Sequence, residues 1–120
     1  MTMRFSLIIS VGMLSIFAAA CGSSVPPPND RLASAEAAAR SAKELGADNN
    51  PKAQLELKLA TEQIDQAKKL MADGDNKRAE LVLQRANADA ELAVMLAKES
   101  NAKAEADKAQ ENVKNIKAGK

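Results

Sequence analysis

The sequence predicts an all-α fold: an antiparallel helical hairpin with a shorter N-terminal helix, together forming a small three-helix bundle, and a long third helix projecting at its C-terminal end. Three observations predict it. Alanine is heavily used, charged residues make up 28% and aromatic residues 2% of the chain, which is the profile of long helices. Small and apolar residues recur at alternating steps of three and four through three segments. Gly46 and Gly74 fall between those segments, where helices stop in a left-handed conformation. A chain of 120 residues holds one small domain at most.

The first helix is expected over 31–45. Asn29 or Asp30 can cap its start and Gly46 suits its end. Leu32, Ala35, Ala39, Ala42 and Leu45 form its apolar stripe. The second helix is expected over 51–72. Asn50 fits its N-cap and Pro51 its first position, where a missing N–H costs nothing. Ala53, Leu57, Ala60, Ile64, Ala67 and Met71 repeat as a heptad seam, and Leu55, Leu59 and Leu70 widen it. The run Asp73-Gly-Asp-Asn76 lacks the further oxygen ligands of a calcium loop. It reads instead as a glycine stop followed by a cap at Asp75 or Asn76. The third helix is expected over 77–117, with no glycine or proline before Gly119. Its first seam is Ala79, Leu83, Ala86, Ala90, Ala93 and Ala97. After a five-residue step a second seam follows, Ala102, Ala106, Ala109, Val113 and Ile116. Residues 118–120 read as a disordered tail.

Folding at Gly74 sets Leu55 to Leu59 level with Asp89 to Ala93. The short loop over 46–50 lays the first helix back along residues 51–65 and the facing part of the third. Leu92-Ala-Val-Met-Leu-Ala97 is apolar on all sides and is expected to be covered on several of them. Beyond Lys98 nothing is left to pack against, so about 20 residues project, roughly 30 Å of helix. The second seam then has two readings: a solvated helix, or a surface for an envelope protein or a second copy.

Residues 1–20 read as a removed export signal. Arg4 supplies the positive n-region, Phe5 to Phe17 the apolar core, and Ala18-Ala19-Ala20 the small residues before cleavage. The uncharged run is shorter than the ~20 residues of a spanning helix. Cys21 is the chain's single cysteine. The stretch resembles the lipobox of bacterial lipoproteins, which implies cleavage between Ala20 and Cys21 and acylation of the Cys21 sulfur by a diacylglycerol. Ala18 stands where leucine is usual, so ordinary cleavage after Ala18-Ala19-Ala20 is the alternative. A lone exported thiol has no internal partner in an oxidising compartment, and acylation removes that liability. One acyl chain anchors only marginally, whereas two or three hold stably. Residues 21–30 then read as a lipidated cysteine and a proline-rich tether, standing the helices off the bilayer by about 20–25 Å. Gly22 stands where aspartate would favour the inner membrane, which leans the protein towards the outer membrane, facing the periplasm. The outer face of the inner membrane and the soluble periplasm are the alternatives.

The chain has no histidine, tryptophan or tyrosine. Removal of residues 1–20 takes both phenylalanines and Arg4, leaving equal numbers of basic and acidic side chains. Nucleic-acid binding wants a basic surface and stacking platforms, so it is not expected. Nucleophilic catalysis lacks a base beside a serine, and no phosphate loop or metal-ligand cluster occurs. No enzyme, no small-molecule substrate and no cofactor are expected, apart from covalent lipid on Cys21.

From Arg31 to about Ala109 the chain resembles an uncharacterised family of small exported helical proteins. The residues that carry the likeness are Ala35-Glu-Ala-Ala-Ala-Arg-Ser-Ala42, Gly46-Ala47, Pro51, Leu70-Met-Ala-Asp-Gly-Asp75 and Arg85-Ala-Asn-Ala-Asp-Ala-Glu-Leu-Ala93. The resemblance implies a domain of unknown function found alone or ahead of an OmpA-like peptidoglycan-binding domain. Met71 to Ala79 also looks like the turn and helix start of a tetratricopeptide unit, which implies a peptide-binding adaptor, although the helices are too long for one. The lipidated start and terminal Lys120 are similar in plan to the major outer-membrane lipoprotein, which implies a spacer joined to peptidoglycan through Lys120. The expected function is a structural or interaction module of the bacterial envelope.

Overall fold

The computed structural model describes residues 24–119. It is all-α, with three helices and no strand among the described residues: α1 (Asn29–Glu44), α2 (Pro51–Ala72) and α3 (Asn76–Lys117), with a short 3-10 turn over Ala47–Asn49. No described helix is long and apolar enough to cross a membrane.

Local chemistry explains most boundaries. α1 starts two residues earlier than its polar caps suggest, so Asn29 and Asp30 lie inside its first turn. Pro28 precedes it without a side-chain cap, and the Pro28 carbonyl takes the Leu32 N–H at 3.0 Å. Asp30 instead favours the helix start through the dipole. At the other end Gly46 adopts φ +83°, and its N–H donates to Lys43 O at 3.0 Å. Its carbonyl then accepts Asn49 N–H at 2.9 Å, so the expected loop is a hydrogen-bonded turn that buries Ala47. Asn50 caps α2: its Oδ1 accepts from Lys52 N at 3.0 Å and Ala53 N at 3.3 Å, while its Nδ2 donates to Leu96 O at 3.4 Å. Between α2 and α3, Gly74 sits at φ +78°. Its N–H bonds Met71 O at 3.1 Å and the Asp75 N–H bonds Leu70 O at 2.8 Å, the paired closure that a left-handed residue allows. Asp75 then caps α3 by accepting from Arg78 N at 3.3 Å.

Cross-helix contacts fix the register. Gln63 donates to Asp89 at 2.6 Å and Asn50 reaches Leu96, so α2 and α3 run in opposite directions. α1 runs alongside α3 in the same direction, through Arg31 to Glu80 at 2.9 Å, Ser34 to Asn87 at 3.0 Å and, at its end, Asn101 Nδ2 to Leu45 O at 3.0 Å. It extends further along α2 than residues 51–65: Lys68 pairs with Glu36 at 2.7 Å, and Leu32 and Met71 flank one apolar cluster.

The interior has two such clusters. Ala35, Ile64, Ala67, Leu83 and Ala86 form one, towards the Gly74 turn. Ala42, Ala47, Ala53, Ala93 and Ala97 form the other. Every buried apolar residue described is alanine except Ile64 and Leu83. Alanine lets helix axes approach closely, but each buries little apolar area, so each contributes little.

Two expectations about coverage are corrected. Leu55 and Leu59 do not widen the buried seam; they are 55% and 37% exposed. Leu92 and Met95 are likewise exposed, at 42% and 67%. The reason is that α1 lies along the Glu80, Asn87 and Val94 side of α3, and no described element covers the opposite flank. Residues 118–119 form a turn, with Gly119 N–H bonding Ile116 O at 3.2 Å, so the tail begins in hydrogen-bonded backbone; Lys120 lies outside the described residues.

Candidate functional site

The candidate surface begins where the helices stop facing one another. Asn101 makes the last side-chain bond from α3 to the other elements, at the Leu45 cap of α1. From there to Gly119 every residue is exposed. Ala102, Ala106, Ala109, Val113 and Ile116 stay on one stripe of α3 and are all exposed, with Val113 49% and Ile116 75% exposed. The structure thus presents the second seam but brings nothing to it. Alanines make its inner part thin; only Val113 and Ile116 offer sizeable apolar area.

A second surface was not singled out from sequence. An open groove of about 1080 Å³ lies between α1 and α2. Ala39, Leu55 and Leu57 are among its apolar lining residues, and Arg40, Lys43, Lys58 and Glu62 among its charged ones. Leu55 was the signal available: it lies off the heptad seam of α2 and so has no inward place.

The third feature is the proline segment. It is not a free tether. Asn76 Nδ2 donates to Val25 O at 2.8 Å, and Pro26, Pro27 and Pro28 lie beside Arg31 and Glu80, which themselves pair at 2.9 Å. Residues 25–28 therefore form a strap across the start of α3. Consecutive prolines are already restricted, so ordering them costs less entropy than ordering other residues.

Electrostatics are mild. The Lys68 ammonium is held above its ordinary range by its hydrogen bond to Glu36; partial burial opposes this, and the charges of Glu36 and Asp65 reinforce it. Among the described residues no cluster of acidic or thiol groups is arranged to hold a metal ion. Ala20 and Cys21, the expected cleavage and lipidation positions, and Lys120, the expected cell-wall link, lie outside the described residues.

Fold and surfaces together define a class: a small, alanine-packed, all-α domain in which one helix outruns its partners. The chain belongs to the family described as a domain of unknown function, DUF4398, whose model matches residues 30–109. The match takes in all the packed helices and Ala102, Ala106 and Ala109 of the second seam, and ends before Val113 and Ile116. No curated protein and no solved structure matches the chain.

Proposed function

We propose that the protein is a lipoprotein of a Gram-negative envelope, acylated at Cys21, held on the periplasmic face of the outer membrane and serving as a non-enzymatic structural or interaction module. The observation that carries this reading is the order of residues 4–21: one arginine, an apolar run, three alanines and the chain's single cysteine. The resemblance to exported helical proteins that also occur ahead of OmpA-like domains supports the same compartment.

In this reading the three helices act as one small bundle, with α2 and α3 its hairpin and residues 101–117 its projecting arm. Acyl chains confine the bundle to a thin layer beside the bilayer. That confinement raises its effective concentration for neighbours in the same layer, so a weak surface such as the second seam suffices for association. A second reading, a spacer joined to peptidoglycan through Lys120, is favoured by the exposed run 101–117, which leads the chain end away from the packed helices.

Mass spectrometry of the processed N-terminal peptide tests the anchor. The expected result is an acylated Cys21, with Cys21→Ser released from membranes; an unmodified thiol on membrane-bound protein rejects it. A photo-reactive residue at Ala106 or Val113 is expected to capture a neighbour in living cells. Sacculi boiled in detergent retain the protein only if the spacer reading holds, and deletion of Lys120 then abolishes retention.

A further inference from the structure

We infer that the end of the molecule carrying the α2–α3 turn is its membrane-facing surface, set by the strap over residues 25–28, and that the exposed arm of α3 is thereby aimed away from the lipid headgroups. The inference rests on the Cys21 anchor proposed above. Cys21 lies four residues before Val25, and four residues of extended chain span at most about 14 Å. Val25 in turn is fastened to Asn76 at the first position of α3. The Asn76 Oδ1 atom is buried within a residue that is itself half-buried. A bilayer that holds Cys21 therefore holds the start of α3 within a short leash. Ile116 lies forty residues along the same helix, about 60 Å away.

Charge neither opposes nor drives this seating. Asp30, Asp73, Asp75 and Glu80 share that end with Arg31, Lys69, Lys77 and Arg78, so the surface is balanced in sign. The contact with headgroups then comes from the leash, not from net attraction, and screening leaves it in place.

The test places a fluorophore on an azide-bearing residue at Lys77 or at Val113 in the acylated full-length protein. The protein is reconstituted into phosphatidylethanolamine and phosphatidylglycerol vesicles containing a headgroup-labelled acceptor lipid. Transfer is expected to be at least about fivefold greater from position 77 than from 113, given the roughly 55 Å of helix between them, and equal at low and high salt. Asn76→Ala is expected to narrow the difference by releasing the strap. Equal transfer from both positions, or greater transfer from 113, overturns the inference. If the isolated protein carries no acyl group, the anchor reading fails on its own; the mature chain coupled through the Cys21 thiol to a maleimide lipid then gives the same two transfer values and decides the orientation separately.

Discussion

The two halves of α3 carry the same alternation of steps and nearly the same small residues, with opposite outcomes. Ala79, Leu83, Ala86, Ala90, Ala93 and Ala97 are all at most 1% exposed. Ala102, Ala106, Ala109, Val113 and Ile116 are all exposed. The difference lies outside α3. α1 ends at Glu44 and α2 begins at Pro51, and their common end falls opposite Leu96 to Asn101. Periodicity selects the face of a helix that can be buried; the length of its neighbours decides whether it is.

The largest expected effect contrasts Leu83 with Val113. Leu83 is the largest fully buried side chain described, and Leu83→Ala is expected to cost about 2–5 kcal/mol. That is a large fraction of the stability available to a domain this small. Val113→Ala is expected to stay within about 0.5 kcal/mol, as for an exposed position. Urea unfolding followed by far-UV circular dichroism measures both, since the chain has no tryptophan or tyrosine to report by fluorescence. An equal loss at Val113 would mean that the arm is covered in solution and the contrast is false.

Enlarging the small residues sharpens the same contrast. Ala90 is fully buried, where added methylenes have no space. Ala90→Leu is expected to destabilise by about 1–3 kcal/mol. Ala106→Leu adds the same atoms to an open stripe and is expected to be neutral, since leucine is nearly as good a helix former as alanine. Thermal unfolding of the pair reads the difference directly. A Tm loss at both positions would place a neighbour against Ala106.

Much of this was legible because it is local. Asn50-Pro51 and Gly74-Asp75 announce their helix ends by side-chain capping and left-handed backbone, interactions among residues a few positions apart. The seam of α3 up to Ala97 is legible because one period runs through it unbroken. What sequence did not supply depends on distant partners. The strap exists because Asn76 meets Val25 fifty-one positions away, which no local pattern encodes. Leu92 and Met95 look like core by hydropathy alone, yet three helices leave one flank of the α2–α3 pair open. The groove beside Leu55 is likewise a consequence of where α1 lies. The second seam was visible as a stripe; whether anything covers it depends on a molecule other than this chain.

The smallest expected effect concerns charge, and it too separates the packed part from the arm. Lys68 and Glu36 join α2 to α1 at 2.7 Å, whereas Lys114 belongs to the exposed arm. Folding raises the Lys68 pKa above its ordinary value of 10.5, so the folded state holds this proton more tightly. The pair therefore contributes fully below pH 10.5, and its contribution is lost as pH rises through the raised value. Its side chains are 48% and 37% exposed, so solvent screening limits the contribution to about 0.2–1 kcal/mol. Lys68→Gln is expected to lower stability by that amount at neutral pH and by less about one unit above the ordinary lysine value. Lys114→Gln is expected to change stability at neither pH. Urea midpoints of the two variants and the parent at both pH values measure this. A Lys68→Gln deficit that persists undiminished at high pH would assign the loss to the packing of the lysine stem between the helices rather than to its charge.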